Sequence, residues 1–244
     1  MDDPEPSLGG EGEEEIIEMA EIGSSGVGNT RYPYYYGPEG RLLLVDSALE
    51  AVGRGSTTIG IKTSTFALIS SHIKPTKPLV EPSEKIFPID GHVGATGSGY
   101  IGDILQLIDE MRIAAQKYRF TYDSPIDIKS LARQLSSYLH DFTIYAVRPQ
   151  AASIIIAGID PTGVQLYQVD PSGTYFSGSG FAIGQYSDTA IDTIQKEYTE
   201  DMTIAQAVQL SDQAIEKALG EKPLVERGLV TAKDTTFKKM AVNS

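Results

Sequence analysis

Two hydrophobic patterns alternate in blocks along this chain, one with the period of a helix and one with the period of a strand. A helix is predicted over residues 42–52 by apolar residues at helical spacing: Leu42, Val45, Leu49 and Val52. β-Branched, alternating residues predict strands over 56–63 and 66–73, and short strands over 84–89 and 92–96 flank a two-residue Asp-Gly turn. One helix and a run of strands therefore open the fold.

The rest of the chain repeats this arrangement. Two helices are predicted over 101–118 and 127–142, the first of them opened by Gly97-Ser98-Gly99. Residues 151–158 are almost wholly apolar, which is typical of a strand buried on both faces. The remaining predicted elements are strands over 164–169, 174–176 and 181–183, helices over 187–198 and 203–219, and a strand over 229–232.

Helices thus come in pairs and strands come in runs. A doubly wound parallel sheet would instead alternate single strands with single helices. Two layers of sheet, packed together with helix pairs outside, would bury both sets of apolar faces. We therefore predict an α+β fold with sheets inside and helices outside.

The composition excludes several kinds of chemistry. The chain has 244 residues and no cysteine, so disulfides, thiol catalysis and Cys-ligated zinc are excluded. Its three histidines lie far apart and show no metal-binding spacing. No apolar run reaches the ~18 residues that cross a bilayer, and no secretory signal is present. We expect a cytoplasmic protein with no cofactor, no metal and no membrane partner.

Negative charge is concentrated at the N-terminus. The net charge is −13, and residues 1–30 hold nine acids and no Lys or Arg, which leaves 24 acids against 20 basic residues elsewhere. This acidic, then Gly/Ser-rich stretch predicts a flexible tail over 1–30 and a folded domain over 31–244. A segment that orders on a partner is the alternative for the tail. Such a charge balance repels phosphates, so no nucleic acid partner is expected.

Several motifs in succession resemble the α-type subunits of the proteasome. Residues 37–63, from Gly-Pro-Glu-Gly-Arg-Leu to Gly-Ser-Thr-Thr-Ile-Gly-Ile-Lys-Thr, resemble the α-subunit signature. Further matches follow in the family's order at residues 84–87, 114–122, 147–149 and 167–176. The resemblance runs from about residue 31 to 235. It implies a four-layer α-β-β-α sandwich of the N-terminal nucleophile hydrolase fold, in agreement with the paired helices and runs of strands.

The resemblance also implies a role. In this family, α-subunits form seven-membered rings, stack on catalytic β-subunits, control the access of unfolded protein substrates and dock activating ATPase rings through their C-terminal tails. A chain of this kind is not itself an enzyme. Two alternatives stay open: an active N-terminal hydrolase with Ser56 as nucleophile, and a stand-alone homologue that forms rings without a protease partner.

The position of Ser56 is where catalytic members of the superfamily expose a nucleophile, after cleavage behind a glycine that corresponds to Gly55. Lys85 resembles their partner lysine, but His72 falls where they carry an acid. While Gly55 stays attached, the nitrogen of Ser56 is an amide and cannot act as a base. The helix before Gly55 also resembles a structural α-type element rather than a leader, so we expect no catalysis.

A docking site for activator tails is the second feature that the resemblance implies. In the family a lysine pairs with the activator's C-terminal carboxylate, and that lysine corresponds to Lys85. Gly99 corresponds to a glycine at which the backbone passes close to the ligand. Pro38, Gly40 and Asp46 fall on the turn and acidic positions that receive the activator's penultimate tyrosine. The alternative for Lys85 is an ordinary surface lysine.

The gate segment departs from the family pattern Tyr-Asp-Arg. Asn29, Thr30, Arg31 and Tyr32 occupy the gate here, and only the arginine matches. Either the tyrosine-rich segment and the acidic tail gate the ring differently, or the chain is a specialised paralogue in a mixed ring. We hypothesise that the tail occludes the pore or repels acidic substrates.

Two other features receive structural interpretations. The glycine-rich segment 94–99 precedes a helix but lacks the Lys-Ser/Thr of a phosphate-binding loop, so we interpret it as tight strand-to-helix packing. Asp103 and Asp109 are six positions apart and lie on different faces of the predicted helix, so we expect both to be solvated.

Overall fold

The computed structural model describes residues 36–37, 40–74, 79–80, 82–145 and 148–240. The chain divides into two units, residues 1–42 and 43–244. In the smaller unit, Gly40 has a φ of 74° and donates its N–H to the carbonyl of Gly37 at 2.9 Å. That positive φ favours glycine at this turn. The predicted boundary at residue 30 lies outside the described residues and stays a prediction.

The larger unit contains, in its described part, five helices and ten strands, of which the helices and the first nine strands follow the predicted order. The helices are α1 (Leu43–Gly53), α2 (Ile101–Tyr122), α3 (Ile128–Tyr145), α4 (Ser187–Glu197) and α5 (Ile204–Leu219). The strands are β1 (Thr58–Lys62), β2 (Phe66–His72), β3 (Ile86–Asp90), β4 (Val93–Gly99), β5 (Ala152–Asp160), β6 (Gly163–Val169), β7 (Tyr175–Ser177), β8 (Gly180–Ile183), β9 (Val225–Thr231) and β10 (Lys238–Met240). Across these ranges no helix combines the length and the apolar character that a membrane span requires.

The strands form two antiparallel sheets of five strands each. The first sheet has the order β10-β9-β2-β1-β8 and the second has the order β3-β4-β5-β6-β7. Helices α4 and α5 cover the first sheet, α2 and α3 cover the second, and a third apolar cluster lies between the sheets. The predicted α+β fold, a four-layer α-β-β-α sandwich, is therefore confirmed.

Strand β5 shows why all four layers are needed. Its residues Ile154 and Ile156 pack with α2 and α3, whereas Ile155 and Ala157 pack between the sheets. A strand with apolar side chains on both faces can only be central, as its sequence predicts. Residue Gly60 of β1 lies across from it, where an added Cβ would be 2.9 Å from the Ile155 side chain.

The predicted start of the helix is confirmed, because α2 begins at Ile101, but the strand predicted over 92–96 is too short, because Gly97-Ser98-Gly99 form the end of β4. Glycine is required here by the close approach of β4 to the neighbouring residues 151–154. A Cβ on Gly97 would be 2.8 Å from the Ile154 side chain, and one on Gly99 would be 2.1 Å from the carbonyl oxygen of Ala151.

Strand β10 is a short edge strand that the hydrophobic pattern does not predict. Phe237 fixes its start, because its ring lies between the two sheets and its N–H donates to the carbonyl of Gly91. An added Cβ would be 2.2 Å from this ring at Gly94 and 2.3 Å from it at Gly228. Glycines on both sheets thus make room for one aromatic side chain, which brings β10 against β9.

Candidate functional site

The peptide bond between Gly55 and Ser56 is held on both sides. The N–H of Gly55 donates to the carbonyl of Val52 at the end of α1, and the carbonyl of Gly55 accepts from the N–H of Gln185. Ser56 is buried, with 4% of its surface exposed. The next residue, Thr57, donates its hydroxyl to the carbonyl of Gln185 at 2.7 Å. This junction is an ordinary part of the buried framework.

The backbone around this junction is closely packed against neighbouring residues. A Cβ on Gly55 would be 2.2 Å from the hydroxyl of Ser98, and one on Gly184 would be 2.2 Å from the carbonyl oxygen of Ser56. The helix before the junction is also integral to the fold, because Val45, Ala48 and Val52 of α1 are buried. This packing argues against the alternative in which Ser56 acts as a nucleophile.

Lys85 lies immediately before β3 and is half-buried. Burial lowers the pKa of its ammonium group, the positive charge of Lys74 lowers it further, and the carboxylate of Glu226 acts in the opposite direction. Within the described residues, no carboxylate forms an ion pair with the Lys85 side chain. A partly desolvated cation whose pKa is also lowered by a second cation is a favourable place for an incoming carboxylate.

His72, which the resemblance placed where catalytic members carry an acid, lies at the end of β2. The side chain is buried, and Nδ1 has no hydrogen-bond partner among the described residues. Burial lowers the pKa of His72, the charges of Lys74 and Lys85 lower it further, and Glu221 opposes them. The ring is therefore stabilised in its neutral form and contributes no negative charge beside Lys85.

Gly99 borders a cavity of about 380 Å³ on the outer side of α1. Its other lining residues are Ser47, Glu50, Ala51, Arg54, Gly55 and Tyr100. The ammonium of Lys74 donates to the carbonyl of Arg54 at 3.3 Å. Lys74, whose charge acts on Lys85, is therefore bound to one wall of the cavity. The expected crowding at Gly99 is present, but it comes from the protein's own Ala151 carbonyl.

The other predicted docking residues are only partly described. Asp46 lies half-buried in the first turn of α1, where the helix dipole favours a negative charge. Gly40 belongs to the smaller unit and forms the turn described above. Pro38 and the gate residues Asn29, Thr30, Arg31 and Tyr32 lie outside the described residues, so their predicted roles stay predictions.

Asp103 is a residue whose role the sequence analysis missed. The prediction that it is solvated is wrong, because its side chain is only 7% exposed. Its carboxylate accepts hydrogen bonds from both terminal nitrogens of Arg148, at 2.7 and 2.8 Å. It also accepts the N–H of Ala151 at 2.8 Å. Asp109, by contrast, is exposed as expected. The sequence signal that could have indicated this role is Arg148-Pro149, an arginine that comes shortly before a buried strand.

This ion pair stabilises the wall beside Gly99. Asp103 lies in the first turn of α2 and holds Ala151, whose carbonyl accepts from the N–H of Tyr100 and crowds Gly99. The hydrogen bonds from Arg148 lower the pKa of Asp103, with the N–H of Ala151 acting in the same direction and burial opposing both. The negative charge is therefore built into the folded state.

Comparison with known proteins identifies the family. Residues 52–232 match the family described as Proteasome subunit. Proteins named proteasome subunit alpha are similar over most of their length. The one from Methanocaldococcus jannaschii is 39% identical over 212 residues, 85% of this chain and 81% of that protein. Those from Thermococcus onnurineus and Methanopyrus kandleri are 37% and 35% identical over 210 and 209 residues, 84% of this chain and 80% and 85% of those proteins.

The chain therefore belongs to the proteasome subunit family. Within that family, its relatives are α subunits, as the motifs of residues 37–63 and the later matches predicted. The coarse role follows from this membership: a non-catalytic subunit of a protease assembly.

The Asp103–Arg148 pair predicts a pH-dependent contribution to stability. Because the pKa of Asp103 is lower in the folded state, the contribution is complete above about pH 4 and is lost as the pH falls through the folded pKa. At pH 7, Asp103→Asn should lower the free energy of unfolding by about 1–2 kcal/mol, a modest value because Arg148 is half-exposed.

Urea unfolding between pH 2 and pH 8 measures this contribution. The difference between the two proteins should shrink towards zero as the pH falls through the lowered pKa of Asp103 in the folded state. Asp109→Asn is the matched control and should change stability little at any pH. A deficit for Asp103→Asn that is equally large at both ends of the pH range would contradict the ion-pair explanation.

Proposed function

We propose that this chain is a non-catalytic α-type subunit of a proteasome core particle in the cytoplasm. The observation that carries the proposal is the buried junction after α1. Ser56, the hydroxyl-bearing residue at the position that the resemblance compares with the nucleophile, is buried; the carbonyl of Gly55 accepts from the N–H of Gln185 and that of Ser56 accepts from the hydroxyl of Thr58. We infer that the bond between Gly55 and Ser56 is not cleaved. A subunit with this junction has no free amine to act as a base.

The subunit assembles with other α-subunits into a seven-membered outer ring. This ring stacks on catalytic β-subunits, which carry out the proteolysis, and it controls the access of unfolded protein substrates. Similarity to proteins named proteasome subunit alpha, over more than four-fifths of the chain, supports this assembly.

The same ring docks activating ATPases through their C-terminal tails. Lys85 receives the terminal carboxylate, and its half-buried ammonium beside Lys74 supports this role, because a carboxylate offsets the repulsion between the two cations. Gly99 borders the neighbouring cavity. Asp46, Gly40 and Pro38 contribute the acidic and turn positions that receive the penultimate tyrosine.

Co-expression with a proteasome β-subunit tests the proposed function directly. We expect stacked rings of both chains by native mass spectrometry, with peptide hydrolysis that depends on the β-subunit. Denaturing mass spectrometry should find no form of this chain that begins at Ser56. A form that begins there would favour the hydrolase alternative, and rings that never bind the β-subunit would favour the stand-alone alternative.

Substitution of the docking lysine tests the activator site. Lys85→Ala should abolish stimulation of protein degradation by a cognate ATPase ring and leave the assembled particle and its unstimulated peptide hydrolysis intact. Lys196→Ala, which removes an exposed lysine from α4, is the control and should behave as the unmodified protein. Full stimulation of the Lys85→Ala particle would remove the docking assignment.

The gate is proposed to lie in the N-terminal segment that includes Asn29, Thr30, Arg31 and Tyr32. Deletion of residues 2–28 removes the acidic tail and should raise unstimulated peptide hydrolysis by the assembled particle severalfold. Comparison of neutral and acidic fluorogenic peptides separates occlusion, which affects both, from charge repulsion, which affects the acidic peptide alone. An unchanged rate for both peptides would contradict a gating role for the tail.

A further inference from the structure

The carboxylate of Glu226 holds the backbone at the proposed docking lysine. Glu226 lies on β9 in the first sheet, and one of its oxygens, Oε2, accepts the N–H of Lys85 at 2.7 Å and the N–H of Ile86 at 3.3 Å. Both N–H groups belong to the chain that begins β3, at the edge of the second sheet. One side chain thus bridges the two sheets at the residue before β3.

The other oxygen of Glu226 is also engaged. Oε1 accepts from the ammonium of Lys239 on β10 at 3.2 Å, and the same ammonium donates to Glu84 at 2.9 Å. The side chain of Glu226 is 11% exposed, whereas that of Glu84 is 70% exposed. The buried carboxylate is therefore fixed from both sides, and Glu84 is a peripheral member of the same network.

We propose that Glu226 is a positioning residue of the activator-docking site, which fixes the start of β3 so that Lys85 presents its ammonium to the incoming carboxylate. This inference rests on the proposed function of Lys85. Without the Glu226 carboxylate, two N–H groups at the start of β3 lose their acceptor, and the residues that carry the lysine gain freedom to move away from the first sheet.

The charge of Glu226 acts in the same direction as its hydrogen bonds. Lys74 and Glu226 are charged groups that act on the pKa of Lys85, and Lys85 in turn acts on that of His72. Lys239 forms ion pairs with Glu226 and with the exposed Glu84. Glu226 raises the pKa of Lys85, whereas burial and the charge of Lys74 lower it. Removal of this negative charge should therefore lower the pKa of Lys85 further. Because docking needs a protonated Lys85, the loss of binding at alkaline pH should then begin at a lower pH.

The test measures binding of a synthetic tail peptide to particles assembled from this chain and a β-subunit. The probe is a fluorescent peptide with a penultimate tyrosine and a free C-terminal carboxylate, and the same peptide with a C-terminal amide is its control. Glu226→Ala should weaken binding of the carboxylate peptide about tenfold and leave the amide peptide unchanged. Unstimulated hydrolysis should be unaffected.

Two further variants separate positioning from general damage to the fold. Glu226→Gln keeps an acceptor for the N–H of Lys85 but loses the charge, so its affinity should be intermediate at pH 7 and its alkaline limit should move to lower pH. Glu84→Gln removes the exposed partner of Lys239 only and should bind as the unmodified protein.

The outcomes distinguish this inference from the function on which it rests. If Lys85→Ala abolishes binding of the carboxylate peptide while Glu226→Ala binds normally, the docking site stands and the positioning role is wrong. If Lys85→Ala itself binds normally, the docking assignment fails and the inference fails with it. Equal losses for the carboxylate and amide peptides in Glu226→Ala would show structural damage alone and would also overturn the inference.

Discussion

The apolar layer between the two sheets is the constraint on which the rest of the structure depends. Each inner strand must be apolar on the face towards the other sheet and again on the face towards its helices, so the sheets require both helix pairs. Burial of each large aliphatic side chain contributes on the order of 1.5–3 kcal/mol. Where the sheets approach most closely, glycine replaces a side chain, as at Gly60 opposite Ile155.

This double burial leaves the ends of the strands as the places for polar chemistry. The junction of Gly55 and Ser56 precedes β1, Lys85 precedes β3, and Glu226 lies near the start of β9. Because the inner layer fixes both sheets, the hydrogen bonds from the Glu226 carboxylate to the start of β3 also join elements whose relative positions are already set. Rigid strands thus position these polar groups more sharply than a loop would.

The order of elements could be predicted from the sequence because it depends on local periodicity, and β5 even revealed its burial on both faces. What could not be predicted depends on partners distant in the sequence. The three-residue strand β10 has no pattern of its own and exists because Phe237 fits between the sheets. Asp103 was expected at the surface because its partner, Arg148, is distant in the sequence. Gly97-Ser98-Gly99 were not predicted as part of a strand, because their glycines are required by residues of a neighbouring segment, Ala151 and Ile154.

The candidate site shows how one scaffold can lose catalysis and keep a useful cation. Nucleophilic chemistry at Ser56 would require a free amine and an acid that holds the partner lysine. Here the nitrogen of Ser56 is a buried amide, and the residue that the resemblance compares with the acid is His72, whose pKa is lowered by burial and two lysines. Burial and Lys74 lower the pKa of Lys85, and the carboxylate of Glu226 offsets part of that effect. A cation supported in this way, with no nucleophile to assist, is suited to bind a carboxylate that arrives from outside the chain.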